Sequence, residues 1–187
     1  MRTRDYDKLA RLKAAMIHLV LREGMSGASV AKIAREAGVS PATVYVYYSS
    51  KEEMLAEVFR ECAGASYRTL LPLLESRLSG ADFLETLIRG FFDYSVSHLE
   101  AFSFVEQCSR CPSLLETVSE EECCCEIFER IHAYQLRGEM RPFSDLGLSA
   151  VLFAPIRFLA LKQGACQEDT GAALSEFIAM MQHLLLY

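Results

Sequence analysis

The chain has 187 residues, 51% of them hydrophobic, so it can bury one sizeable core or a small domain joined to a larger one. It contains no run of about 18 uncharged apolar residues, and its amino terminus lacks the apolar segment of a signal peptide. Seven cysteines, an odd number without an export signal, favour free thiols over a disulfide framework. We therefore expect a cytoplasmic protein with no membrane partner.

Charge is distributed unevenly along the chain. Residues 1–51 hold nine Lys/Arg and four Asp/Glu, a balance of +5, which leaves −11 for the rest of a chain whose total is −6. Because salt screens charges over about 8 Å under physiological conditions, the local balance decides what the amino-terminal part can attract. A basic amino-terminal module can therefore meet a polyanion, although an ordinary fluctuation in charge gives the same balance.

Apolar residues recur at a spacing near 3.6 almost throughout, and the alternation typical of strands is absent. This pattern predicts an all-α fold of about nine helices. We expect the helices at about 6–23, 29–36, 40–46, 51–67 or beyond, 82–98, 100–110, 113–137, 145–163 and 171–186. Gly24 is a normal helix stop, Pro72 divides or kinks the fourth helix, and capping boxes begin at Ser50 and Ser113.

The third helix is short and aromatic, and a tight Gly-containing turn joins it to the second. Two helices arranged in this way are typical of a helix-turn-helix. Ser40 is a suitable N-cap, and Pro41 fits the first helical position because its missing N–H is not needed there. If Val44 and Tyr48 face inward, the outer face is small at its start and aromatic at its end. The residues left for that face and its edges are Ser40, Pro41, Ala42, Thr43, Tyr45 and Tyr47.

A face of this shape suits the major groove of DNA. Thr43 can hydrogen-bond a base edge, while Pro41 and Ala42 can contact thymine methyl groups. The tyrosine hydroxyls can donate to phosphates. Lys51 and Ser29 stand at the starts of neighbouring helices, where N–H groups already favour an anion. The alternative is that the tyrosines only pack and the serines only cap helices.

Residues 24–59 carry a resemblance to a known family. They read GMSGASVAKIAREAGVSPATVYVYYSSKEEMLAEVF, and the helix order and several short motifs resemble the amino-terminal DNA-binding domain of the TetR (tetracycline-repressor-like) bacterial transcription regulators. The matching motifs are Ile33-Ala34, Ala37-Gly38-Val39-Ser40, Val44-Tyr45, Tyr47-Tyr48 and Lys51-Glu52. Pro41-Ala42 replaces the Lys-Gly pair of many members and Tyr48 replaces the usual Phe, which leaves the operator sequence open.

The resemblance implies an architecture and a set of contacts. Residues 1–50 would form a three-helix DNA-binding domain, and residues 51–187 a larger helical domain for effector binding and dimerisation, with the helix from 51 as connector. Residues 40–46 would be the recognition helix. Tyr45 and Tyr47 would contact phosphate or groove, and Lys51 a phosphate. Proteins similar to this one are typically homodimeric repressors that leave a double-stranded operator when a small molecule binds.

A dimer interface is also indicated by the last two predicted helices, which are the most apolar. Their apolar residues recur at helical spacing, as in half of a four-helix interface, although both helices could pack only within their own chain. The candidate interface residues are Leu148, Val151, Leu152, Pro155, Leu159, Leu174, Phe177, Ile178, Met181 and Leu185.

Aromatic residues are concentrated in residues 88–104 and 128–158. With a few polar residues among them they could line a cavity for a small, largely apolar effector, or they could fill a solid core. The candidate lining residues are Phe91, Phe92, His98, Phe102, Glu106, Phe128, His132 and Phe153.

Cys108 and Cys111 share a helical face and could serve a thiol-redox or soft-metal-responsive DNA-binding regulator, but the favoured interpretation is that they are buried thiols acting as small hydrophobes. Residues 123–125 are consecutive cysteines and cannot converge on one metal ion.

No catalytic motif is present, so we expect neither an enzyme nor a cofactor or metal. A helical protein-interaction module with an incidental basic end is the remaining alternative.

Overall fold

The computed structural model describes residues 3–74, 77–119, 122–166 and 169–187. It confirms the all-α prediction: within these ranges the regular structure is helical, with one isolated β-bridge between Met140 and Leu186. The α-helices are α1 (Thr3–Glu23), α2 (Val30–Glu36), α3 (Pro41–Tyr47), α4 (Lys51–Leu70), α5 (Gly80–Ser97), α6 (Leu99–Cys108), α7 (Pro112–Ser119), α8 (Glu122–Leu136), α9 (Asp145–Leu148), α10 (Ala154–Cys166) and α11 (Gly171–Leu185). Among these residues, no helix has the length and apolar character needed to cross a membrane.

Two predicted helices are divided in the structure. The one expected over 113–137 consists of α7 and α8, whose ends enclose two residues outside the described ranges. The one expected over 145–163 contains a π-helical turn, Ser149–Phe153, between α9 and α10. This turn lies just before Pro155, which has no N–H and whose ring crowds the carbonyl of Val151. A widened turn at this point accommodates the proline without ending the helix.

The first of two compact units comprises Met1–Ala63 and Glu100–Val118. In its core, the apolar faces of α1 to α4 pack with residues of α6 and α7. Its most deeply buried members include Leu12, Met16, Leu19, Ile33, Val44, Tyr48, Met54, Val58, Phe59, Phe104 and Cys108. The predicted division at residues 50 and 51 stays a prediction, and this unit is larger than the predicted DNA-binding domain.

The turn between α2 and α3 depends on Gly38. Its φ of +66° lies in the left-handed region that glycine adopts without steric cost. The backbone N–H of Val39 then donates to the carbonyl of Ala34 at 2.9 Å, which satisfies one of the free carbonyls at the end of α2. This turn sets the direction in which α3 leaves α2.

The second compact unit comprises Gly64–Leu99 and Ser119–Tyr187. Its central helix is α5, which packs against α10 and α11. Phe153 is 2% exposed and makes edge contacts with Tyr67, Phe91 and Phe128, at centroid distances of 6.4, 5.4 and 6.2 Å. The aromatic residues of this unit therefore pack against one another around Phe153.

The structure narrows the set of predicted dimer residues. Seven of the ten are buried within the chain, because the apolar stripe on each helix packs against its own unit: Leu148, Leu152, Leu174, Phe177, Ile178, Met181 and Leu185. The remaining three, Val151, Pro155 and Leu159, are half-buried. Apolar spacing alone does not separate core from interface. Among the described side chains of α10 and α11, the exposed large apolar residues are Phe158, Met180 and Leu184.

Candidate nucleic-acid interface

Helix α3 begins as its sequence predicts. The Ser40 side chain accepts a hydrogen bond from the backbone N–H of Thr43 at 3.2 Å, and Pro41 occupies the first turn. The hydroxyl oxygens of Ser40 and Thr43 lie 3.0 Å apart. Val44 and Tyr48 are 1% and 2% exposed, which confirms that these two side chains hold the helix to the unit. The opposite face is therefore free to contact a ligand.

The outward face carries small residues first and larger ones after them. Ser40, Pro41 and Ala42 are exposed and Thr43 is half-buried. Tyr45 is 58% exposed and its ring stands free of the core. These placements match the predicted face.

Tyr47 differs from Tyr45 because its hydroxyl already has a partner. It is half-buried and donates to the carboxylate of Asp5 at 3.4 Å. Burial and the neighbouring carboxylate raise the pKa of Tyr47. Tyr48 is bound in a similar way, since its hydroxyl donates to Glu57 at 3.3 Å and burial raises its pKa. A phosphate contact by Tyr47 would have to replace or share the bond to Asp5.

Lys51 and Ser29 lie at two helix starts, as the sequence predicts. The Ser29 side chain is exposed and accepts from the N–H of Lys32 at 3.4 Å. The ammonium group of Lys51 donates to the carbonyl of Met25 at 3.4 Å and lies 3.6 Å from Glu52. Its side chain is 25% exposed, so Lys51 is held against the α1–α2 turn and presents only part of its charge to solvent.

The capping box before α4 forms, with Ser49 as an additional partner of the Glu53 carboxylate. Ser50 accepts from the N–H of Glu53 at 3.0 Å, as predicted. The carboxylate of Glu53 accepts from the N–H of Ser49 at 2.6 Å and also from the hydroxyl of that residue. These bonds hold the pKa of Glu53 below its usual range. The start of α4 is thus fixed one turn after the end of α3.

Sequence reasoning missed Val46, which is 76% exposed on α3. It follows Ala42 by four residues and Thr43 by three, and side chains at these spacings share a helix face. This spacing is visible in the sequence and could have identified Val46 as part of the outward face. Val46 is therefore an apolar candidate for contact with a thymine methyl group.

Lys8 and Arg11 of α1 were also missed as individual contacts. Together with Gly38, Val39 and Thr43 they help line a cleft of about 820 Å³ beside the start of α3. A Cβ at Gly38 would lie 3.5 Å from an Arg11 guanidinium nitrogen, so Arg11 lies directly over the turn. The signal in the sequence was two cations three residues apart on one helix face.

Several other cations of the amino-terminal unit are paired with acids. Arg22 lies 2.8 Å from Glu36 and holds the pKa of that carboxyl below its usual range, and Lys32 lies 2.6 Å from Glu23. Lys13 is paired with Glu61. Within the described ranges, Lys8 and Arg11 make no such ion pair. Among the described residues, positive charge without an ion pair therefore lies beside α3, where Asp7 shares the cleft, and also at the exposed Arg35 of α2.

The predicted effector residues are divided between the two units. Phe102 and Glu106 belong to the amino-terminal unit. The other six belong to the carboxy-terminal unit, where Phe91, Phe128 and Phe153 come together. The two histidines lie elsewhere on its surface: His98 stacks on Tyr94, and His132 lies 2.7 Å from Asp145. Phe92 is buried.

The cysteines form no metal site in the part of the chain that the structure describes, where no three His, Cys, Asp or Glu side chains are placed to hold a metal ion. Cys108 is fully buried and Cys111 is half-buried in the amino-terminal unit. Side chains of two of the three consecutive cysteines, residues 123 and 124, lie outside the described part, and Cys125 is exposed.

Comparison with known proteins identifies the amino-terminal module. Residues 12–58 match the model for bacterial regulatory proteins of the tetR family. The fatty acid metabolism regulator protein of Bacillus subtilis is 26% identical to this chain over 85 residues. That alignment covers 46% of this chain and 44% of the relative, so this chain matches less than half the relative's length.

Solved structures extend the likeness to the whole fold. A TetR family transcription regulator from Marinobacter aquaeolei VT8 superimposes with a TM-score of 0.86 at 24% identity, over 100% of this chain and 99% of the other. The transcriptional regulator FadR from Bacillus subtilis, in complex with stearoyl-CoA, gives a TM-score of 0.74 at 18% identity, over 91% and 96% of the two chains. At these identities the likeness establishes the fold. Residues 12–58 thus match the family model for bacterial regulatory proteins of the tetR family, and the chain as a whole shares the all-helical fold of these solved structures.

Proposed function

We propose that this protein is a transcription regulator that binds duplex DNA through the outward face of α3. The observation that carries the proposal is the division of this short helix into two faces. Val44 is buried, while Ala42, Tyr45 and Val46 on the other side are exposed. A helix held in this way can enter the major groove, which is about 12 Å wide and admits one α-helix.

The groove contacts follow from the chemistry of that face. The Thr43 hydroxyl reads a base edge, and Ala42 and Val46 contact thymine methyl groups. Tyr45, Lys8 and Arg11 contact phosphates on either side. Base contacts set the sequence preference, whereas phosphate contacts set the affinity and its salt dependence.

A homodimer would place two copies of α3 on one duplex. Support comes from the exposed apolar residues Phe158 of α10 and Met180 and Leu184 of α11, which are 60%, 63% and 38% exposed. Met180 and Leu184 are one helical turn apart and therefore form one patch. A two-fold dimer built on this patch would address two half-sites about 34 to 36 Å apart.

An effector that is largely apolar would bind in the carboxy-terminal unit, and its binding would release the DNA, as in a repressor. The aromatic residues around Phe153 support this site. Three rings contact Phe153, so a ligand that enters here would have to displace some of these contacts. Its binding is thereby linked to the position of Phe153 on the π-helical turn. A structural relative carries stearoyl-CoA. A long-chain acyl thioester is therefore the first effector to test.

We expect stearoyl-CoA to weaken DNA binding about 5- to 150-fold, the range typical of coupling between two sites. The measurement is fluorescence anisotropy of a labelled operator with increasing stearoyl-CoA. Coenzyme A without an acyl chain and a nonionic detergent of similar chain length serve as controls. If either control releases DNA as well as stearoyl-CoA does, an acyl-specific effector site is ruled out.

Thr43→Ala tests the assignment of base contacts. Ser40 still caps α3 because it accepts from a backbone N–H, so the helix should persist. We expect Thr43→Ala to change the ranking of operator variants by about 1–3 kcal/mol at one base pair. Tyr45→Phe, the matched comparison, should weaken binding to all variants alike. The measurement is the affinity of each variant for every member of an operator library. If Thr43→Ala leaves the ranking of the operators unchanged, Thr43 makes no base contact.

A protein-interaction module whose basic end is incidental is the competing function. It predicts no salt-dependent retention on duplex DNA. A regulator that neutralises phosphates predicts retention that falls steeply as salt rises. A DNA column eluted with a salt gradient separates the two.

A further inference from the structure

The link between α6 and α7 brings the backbones of two cysteines close together. The backbone N–H of Cys111 donates to the carbonyl of Cys108 at 2.9 Å, which closes a four-residue turn. Such turns bring the first and last Cα atoms within about 7 Å. Disulfides usually join Cα atoms about 4.4–6.8 Å apart. The backbone of this turn is therefore compatible with a disulfide between its two ends.

The two thiols have opposite chemical environments. Cys111 is half-buried, with its sulfur 3.2 Å from the Ser113 hydroxyl oxygen. This hydrogen bond, together with backbone N–H groups of Ser113 and Leu114, lowers the pKa of Cys111. Cys108 is fully buried, and burial raises its pKa to about 12. Cys111 is thus the more acidic and more accessible thiol of the two, and Cys108 is the protected one.

Both thiols also pack against one core. Cys108 belongs to the buried cluster of the amino-terminal unit, and Cys111 packs at its edge. The same cluster contains Val44 and Tyr48, the residues that hold α3. A change in packing at the α6–α7 turn therefore alters the packing of the core that supports α3.

We propose that Cys111 is a target of hydroperoxides and that Cys108 resolves the oxidised form as an intramolecular disulfide, which weakens DNA binding. The last step rests on the function proposed above. It adds a redox input to a regulator whose effector site lies in the other unit.

The chemistry balances in two steps. The Cys111 thiolate attacks the outer oxygen of the hydroperoxide, the O–O bond breaks, and the alkoxide leaves as an alcohol after taking the thiol proton. Cys111 is then a sulfenic acid, oxidised by two electrons, and the peroxide has been reduced. The sulfur of Cys108 attacks the Cys111 sulfur, an S–S bond forms, and hydroxide leaves as water with the proton of Cys108.

The first test is chemical and does not involve DNA. The full chain is treated with cumene hydroperoxide, its remaining thiols are alkylated, and its peptides are mapped by mass spectrometry. We expect a Cys108–Cys111 cross-link at peroxide concentrations that leave the exposed Cys125 unmodified. Cys111→Ser, which keeps a good N-cap for α7, should form no cross-link. Cys108→Ala should leave Cys111 as sulfenic or sulfinic acid. Equal oxidation of Cys111 and Cys125, or no cross-link, would overturn the proposal.

The second test measures duplex binding by the reduced, oxidised and dithiothreitol-treated protein. We expect oxidation to weaken binding about tenfold, dithiothreitol to restore it, and Cys111→Ser to be unaffected. Cys125→Ser should respond like the unmodified chain. A cross-linked protein that binds as well as the reduced one would overturn the regulatory step. A reduced protein that retains no duplex overturns the proposed function instead, while the cross-link result still decides the thiol chemistry.

Discussion

Replacing Met180 and Leu184 together by aspartate is expected to split the proposed homodimer into monomers and to weaken operator binding by about 100-fold or more. Both side chains are exposed on one face of α11, so in the monomer the new carboxylates are solvated and the fold is retained. In a dimer they would be buried opposite like charges, which is strongly unfavourable. Loss of the second half-site removes the gain from bivalent binding, which reaches about 10²–10⁴.

The oligomeric state of this variant is measured by light scattering after size exclusion, and its binding by operator titration. Ala179→Asp is the matched control, because residue 179 is exposed on the same helix about 100° away from Met180. This control should remain dimeric. A double variant that stays dimeric and binds normally would show that the two copies of the chain meet elsewhere or do not need to meet.

Replacing Lys8 and Arg11 together by alanine is expected to weaken binding to all duplexes and to reduce the salt dependence. The two cations line a cleft beside the start of α3, together with Asp7, and neither makes an ion pair among the described residues. If each neutralises one phosphate, the slope of log affinity against log salt falls by about two. Arg11 is exposed and Lys8 is half-buried, so the fold should be unaffected.

The control for this prediction changes net charge by the same amount in the carboxy-terminal unit. Arg89 and Arg137 are suitable, since each is exposed and already paired, with Glu85 and Glu139 respectively. Their joint replacement by alanine should leave the salt slope unchanged. An equal loss of slope in both variants would mean that total charge, rather than a local contact beside α3, governs binding.

The helices were largely predictable from the sequence because their caps are local. Ser29, Ser40 and Ser50 each accept from the N–H three residues on, and Gly24 and Gly38 adopt positive φ, all of which can be anticipated from residue type and spacing. The π-helical turn was not predicted. It depends on how the chain before Pro155 accommodates the missing N–H, which periodicity does not reveal.

The candidate site was predicted less completely than the fold. Burial of Val44 and exposure of Tyr45 followed from helical spacing, but the bond from Tyr47 to Asp5 joins residues 42 positions apart and required the tertiary structure. Similarly, the approach of Arg11 to Gly38 depends on how α1 crosses the α2–α3 turn. Met180 and Met181 are adjacent residues of the same type, yet Met180 is 63% exposed and Met181 is 6% exposed. Tertiary packing, rather than residue type, decides this difference.

The placement of α3 in the major groove is tested most directly by mapping guanine N7 protection on an operator selected from random duplexes. The protein should protect guanines in two half-sites about one helical turn or a multiple of it apart. Val46→Asp, which adds a carboxylate to the outward face of α3, should abolish this protection while the protein remains folded. Selection that enriches no duplex at physiological salt, or protection that is unchanged by Val46→Asp, would contradict the account.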